Sequence, residues 1–101
     1  MSYFIFERPD KIIETDRATF IKWINDPKLR ILLQDDLEDG LFLSTIFLGL
    51  DHSHGGPEPI LFETAILDPK YHDLHIKRHK DYQTAIKYHY EVLNDWKKYC
   101  N

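Results

Sequence analysis

Leu41-Phe42-Leu43-Ser44-Thr45-Ile46-Phe47-Leu48-Gly49-Leu50 is the longest mostly apolar run in the chain. Ile60-Leu61-Phe62-Glu63-Thr64-Ala65-Ile66-Leu67 follows it after the loop Asp51–Pro59. The first run is too short for a membrane helix, which needs roughly 20 apolar residues. Turn material bounds both runs: Asp35-Asp36-Leu37-Glu38-Asp39-Gly40 before, Gly55-Gly56-Pro57 and Pro59 between, Asp68-Pro69 after. The pattern predicts two strands paired as an antiparallel hairpin. Leu41–Leu50 is apolar at both odd and even positions, which predicts a central strand covered on both faces.

Working toward the N-terminus, Leu29–Leu33 reads as a further strand. Pro27 should stop a preceding helix, because it disfavours helical backbone at Asp26 and lacks an N–H. That helix starts at Thr15 or Asp16, either of which can cap it, and runs to about Asn25. Phe20, Ile24 and either Trp23 or Ile21 fall on its buried side. Tyr3–Glu7 is a short aromatic and β-branched strand, Arg8-Pro9-Asp10 is a turn, and Lys11–Glu14 is a second extended piece.

Toward the C-terminus, Lys70–Lys80 is polar and reads as irregular. Asp81 caps a long helix through about Tyr99. Tyr82, Ala85, Ile86, His89, Leu93, Trp96 and Cys100 recur at helical spacing as its inner stripe. The sum is a single α+β domain over residues 1–101. Its antiparallel sheet has three to five strands and two helices, with the long C-terminal helix packed on the sheet.

Composition agrees with a folded domain: 101 residues, 43% hydrophobic and 30% charged. The net charge of −4 argues against general nucleic-acid binding, which needs an excess of Lys and Arg. The balance is uneven. Residues 1–68 hold 6 Lys/Arg against 13 Asp/Glu, and residues 69–101 hold 7 against 4. The result is an acidic first part and a basic end that suits anionic ligands. Cys100 is the sole cysteine, so no internal disulfide or Cys-rich zinc module is expected. Met1–Glu7 has no basic start and no signal-like apolar stretch. A cytoplasmic protein with no membrane contact is the expectation.

The most specific segment is Leu43–Thr64, with Asp51-His52-Ser53-His54-Gly55-Gly56-Pro57-Glu58-Pro59 at its centre. It resembles a family of small phage and prophage hypothetical proteins. Their pattern is close to S-T-V-F-L-G-L-D-H-x-aromatic-G-x-G-P-P-x-L-F-E-T-M. Arg78–His89 is similar to a second family pattern near R-Y-S-T-W-E-E-A-x-x-G-H. The matching positions are Ser44, Thr45, Gly49, Asp51, His52, Gly55, Pro59, Phe62, Glu63, Thr64, Ala85 and His89. His54 replaces an aromatic, Glu58 disturbs the paired prolines and Ala65 replaces Met. The resemblance implies a phage or prophage source and supplies no activity to transfer.

Asp51, His52, His54, Gly55, Gly56, Glu63, Thr64 and His89 form the candidate binding site. Glycines let a backbone approach a ligand closely. Glu63 and Thr64 lie on opposite faces of one strand, so only one of them can face the helix. A histidine inside the apolar stripe needs a partner, and Ser44, Thr45, Thr64 and Glu63 are the options for His89.

Other chemistries compete. Asp51, His52 and His54 offer metal-ligand types that Glu63 or His89 could complete. Asp51, His52, Glu63 and His89 could serve as general acids and bases in a small hydrolase, or in a metal- or nucleotide-binding protein. His72, His75 and His79 would share a face on a helix, but stand in a polar stretch after Pro69. No P-loop, nucleophile elbow or dinucleotide fingerprint is present, so no cofactor and no resident metal are expected. The favoured expectation is a non-enzymatic phage accessory protein that modulates a host process, counter-defence among the options. Its partner would be a host protein or a small anionic ligand. The acidic Asp35–Asp39 turn and the tyrosines Tyr88, Tyr90 and Tyr99 are further contact candidates, and a homodimer through a sheet edge stays open.

Overall fold

The two apolar runs do pair as a hairpin, and the rest of the fold is arranged around them. A computed structural model of the chain describes residues 2–51, 53 and 55–100. The described elements are β1 (Tyr3–Glu7), β2 (Lys11–Thr15), α1 (Arg17–Ile24), α2 (Pro27–Arg30), β3 (Ile31–Asp36), β4 (Phe42–Phe47), β5 (Phe62–Leu67), β6 (Asp73–His79) and α3 (Tyr82–Asn94). Strands β3 to β6 form a four-stranded antiparallel sheet in chain order, and β1 with β2 forms a separate hairpin. The class is α+β, with α3 laid across the larger sheet.

Local chemistry sets the helix starts. Asp16 accepts from the Thr19 N–H at 2.7 Å, and Asp81 accepts from the Thr84 N–H at 2.7 Å. Each satisfies one of the open donors of its first turn.

Three expectations need correction. Pro27 does end the first helix, but it also opens the turn α2, where Asp26 accepts from the Lys28 N–H at 3.0 Å. Proline suits a first helical position, where its missing N–H has no partner to lose. The following strand is therefore displaced to Ile31–Asp36, and Asp35 and Asp36 belong to it rather than to a turn. Second, Lys70–Lys80 is not irregular, because β6 pairs with β5 and places Ile76 opposite Ala65. It is an edge strand, and its Lys77 and Arg78 are the charges that such edges carry. Third, the last helix breaks at Asp95 (φ −149°, ψ 54°) and finishes as a 3₁₀ turn over Trp96–Tyr99.

Alternation in β4 and β5 sends one set of side chains under α3. Leu43, Thr45 and Phe47 lie there with Phe62, Thr64 and Ile66, and all six are buried. Two apolar clusters result. Phe6, Leu32, Phe47, Leu61, Phe62 and Ala85 form one, with Trp23 and Tyr82 against it. Leu43, Ile66 and Val92 form the other, with Leu37, Leu93 and Trp96 against it. Val92 is fully buried, whereas Leu93 is half-buried, so the inner stripe of α3 is rotated slightly from its predicted position.

Gly49 joins the hairpin to the sheet. Its φ is +79°, its carbonyl accepts from the Phe4 N–H at 2.9 Å, and an added Cβ would collide with the Phe20 ring. Gly49→Ala combines left-handed backbone strain with overpacking, so a loss of about 2–3 kcal/mol is expected. A urea midpoint measurement checks it, and an unchanged midpoint would contradict the packing described.

Candidate functional site

Five polar side chains from four strands and α3 form one hydrogen-bonded chain, buried except at its Asp35 end. His89 Nε2 lies 2.7 Å from Asp35 Oδ2, and His89 Nδ1 lies 2.8 Å from Thr45 Oγ1. Thr45 Oγ1 lies 2.8 Å from Thr64 Oγ1, which is 3.2 Å from His79 Nε2. One set of directions satisfies every member: His79 Nε2–H donates to Thr64, Thr64 to Thr45, Thr45 to His89 Nδ1, and His89 Nε2–H to Asp35. The belt lies on the α3 face together with the two apolar clusters. A fully satisfied buried network of this kind selects one register of sheet and helix, since any slip strands a polar group.

The order hydroxyl, imidazole, carboxylate also occurs in acyl-transfer triads. Here Thr45, Thr64 and His89 have no exposed surface, and only the Asp35 side chain reaches solvent, at 40% exposure. A nucleophile must touch its substrate, and the Thr45 hydroxyl is enclosed. The geometry is that of a lock.

His79 and His75 both face α3 from β6. His75 Nε2 meets the Tyr88 hydroxyl at 2.6 Å, and the Tyr99 ring is 5.0 Å from His75. The His79 ring also lies 5.0 Å from the Tyr88 ring, tilted by 53°. Burial, then the Lys77 charge, pushes His79 and His75 below the ordinary histidine value of 6.5; Asp81 opposes this at His79. The unfolded chain then binds more protons than the folded one. Stability is retained above about pH 6.5 and falls as pH drops through that value. Asp81 behaves differently. The Thr84 N–H holds its carboxyl below 3.8, so that contribution fades only at lower pH. The expected result is a urea midpoint lower at pH 5.5 than at pH 7.5, with a smaller difference in His79→Gln. Equal differences in both proteins would contradict it.

The sequence-predicted site residues do not form one constellation. His89 and Thr64 share the buried belt. Glu63 lies on the opposite face of the sheet, where Arg78 Nε approaches its Oε2 at 3.4 Å. Ser44 shares that opposite face, so Thr45 rather than Ser44 or Glu63 is the partner of His89. Asp51 organises the base of its loop, accepting from Ser53 N–H at 2.8 Å, the Ser53 hydroxyl at 2.8 Å and Ile60 N–H at 2.9 Å. Gly55 is in the loop at φ +87° with open space beside it, and Gly56 N–H donates to the Ser53 carbonyl. His52 and His54 lie outside the described residues. Among the described residues no three His, Cys, Asp or Glu gather as a metal-holding group. His72 is exposed and meets Asp68 at 3.1 Å, apart from His75 and His79. Tyr90 is exposed, whereas Tyr88 and Tyr99 are half-buried against His75.

Both sides of β4 are buried or half-buried, as its apolar pattern predicts, yet the second face of the sheet is concave. It holds an open hollow of about 550 Å³. The cause is side-chain size. Gln34, Ser44, Ala65 and Ile76 form the middle row across the four strands, and Ser44 and Ala65 are too small to fill its centre. Ile46 and Glu63 rise at one end, Phe42 and Leu67 at the other. Tyr71 (φ +63°) leans on Phe42 with ring centroids 5.6 Å apart. Arg30, Asp36 and Asp73 complete the rim. Asp36 belongs to the acidic stretch noted in the sequence, whereas Arg30 and Asp73 carry no such signal. A small-residue pair facing each other across two apolar strands was the available signal.

Among the described residues no helix is long and apolar enough to cross a membrane. Comparisons of the chain with protein-family models, with curated proteins and with solved structures found no match.

Proposed function

We propose that the chain is a non-enzymatic binding module of phage or prophage type that modulates a host process, with the open face of the four-stranded sheet as its binding surface. A host defence system is one process such a module would act on. The observation that carries the binding reading is the unfilled hollow over Ser44 and Ala65, rimmed by charges. Folded domains usually cover apolar sheet surface, and concave sites with a few polar groups are where ligands bind. The resemblance of Leu43–Thr64 to small phage proteins supports the biological setting.

A hydrolase is the second reading, and the Asp35–His89–Thr45 geometry is what favours it. The enclosure of Thr45 weighs against it. The test compares wild type with Ala65→Phe, which fills the hollow, after circular dichroism confirms that both fold. Immobilised protein is exposed to host lysate and the captured material identified by mass spectrometry; a small-molecule thermal-shift screen runs alongside. The expected result is a partner or ligand that wild type holds and Ala65→Phe loses. No partner and no shift, or ester or phosphoester turnover abolished by Thr45→Val, would overturn the proposal.

A further inference from the structure

The two ends of the hollow carry opposite charge. Asp36, Phe42, Leu67 and Asp73 lie in register across the sheet at one end. Neither Asp36 nor Asp73 has an ion pair among the described residues. At the other end stands Arg30, whose Nε is buried and has no hydrogen-bond partner. A buried guanidinium N–H without an acceptor is rare and unfavourable, because it has given up water for nothing. Glu63 sits at the same end, but Arg78 engages its carboxylate. Arg30 is the cation that lines that end of the hollow, and a carboxylate is the partner that best suits a guanidinium.

Between the ends the surface is apolar or small, with Phe42, Ile46, Ala65 and Leu67. From Phe42 to Ile46 the strand advances about 13 Å, at roughly 3.3 Å per residue. We propose that this hollow binds an elongated zwitterion. Its carboxylate meets Arg30, its apolar body lies over Ser44 and Ala65, and its ammonium group rests between Asp36 and Asp73. Such a ligand is an ω-amino acid or a short peptide with free termini. The inference rests on the binding-module reading and names the ligand class of its surface.

The test is calorimetric titration of the full chain with a matched series: ω-aminodecanoate, decanoate and decylamine. A second arm uses Ala-Leu-Leu-Ala with free or blocked termini. The zwitterion should bind at least about tenfold more tightly than either singly charged compound, the size of one charge-assisted hydrogen bond. Arg30→Gln should lower ω-aminodecanoate to the level of decylamine and leave decylamine unchanged. Asp36→Asn with Asp73→Asn should lower it to the level of decanoate. The free peptide binding better than ω-aminodecanoate assigns the site to peptides, and the reverse order assigns it to ω-amino acids. Equal affinity across the series, or an unchanged zwitterion affinity in Arg30→Gln, overturns the proposal. If no probe binds while Ala65→Phe still loses a captured partner, the ligand class is wrong and the module stands. If both tests fail, both readings fall. Amide chemical shifts confirm that each variant remains folded.

Discussion

His89→Ala is expected to cost about 3–4 kcal/mol of unfolding free energy, combining lost hydrogen bonds with the cavity left in a packed interior. The ring has no exposed surface and joins Asp35 on β3 to Thr45 on β4 from α3. For a domain of this size each kcal/mol moves the melting temperature by about 4–8 °C, so the drop should exceed about 12 °C. His89→Leu separates the two components. Leucine refills most of the volume, Asp35 can turn to water, and Thr45 keeps Thr64 as partner. Its cost should be smaller, about 1–3 kcal/mol. Thr45→Val should cost less in the His89→Leu background than in wild type, because the acceptor it would strand is already gone. Denaturant titrations of the four proteins measure this. Additive costs would mean that the belt is not one network.

Phe47→Ala should have an effect of similar or larger size, about 3–5 kcal/mol. The ring is fully buried at the centre of the first apolar cluster. Its centroid lies 5.5 Å from Phe6, 5.5 Å from Trp23 and 5.3 Å from Phe62. The hairpin β1–β2, the helix α1 and the large sheet meet through those contacts. Phe47→Leu, which keeps most of the volume, should recover much of the loss. Urea midpoints decide the matter. A cost below about 1 kcal/mol for Phe47→Ala would mean that the N-terminal hairpin is held by something other than this cluster.

The two variants differ in how visible their reasons were beforehand. Phe47 belongs to a short continuous apolar run whose strand character is legible from its length and the turn residues that bound it, and the hairpin with Phe62–Leu67 follows from the Gly- and Pro-marked loop. His89 was legible as a polar residue in an apolar stripe that had to find a partner. Its partner Thr45 is one of the four options that its position offers, whereas Asp35 reads from the sequence as part of an acidic turn. Asp35-Asp36 is contiguous in sequence with the acidic residues after it, whereas α2 shifts the strand start and carries both into β3. The edge strand β6 was missed for a related reason. Its polar composition is what an edge requires, and polarity alone does not distinguish an edge strand from a loop.

What the sequence by itself determined is local. The helix caps at Asp16 and Asp81 act over three residues, and the strand of Leu41–Leu50 is marked by one short apolar run between turn residues. Those ranges are short enough to be written in adjacent residues, and they suffice for an α+β chain with a central hairpin. The tertiary structure alone decided which groups meet. His89 finds Thr45 across 44 positions and Asp35 across 54. Arg30, Asp36 and Asp73 share one hollow only because strand register brings small residues into line between them. No local pattern encodes such meetings, since they depend on the pairing of whole strands and on which face each side chain takes once the sheet has formed.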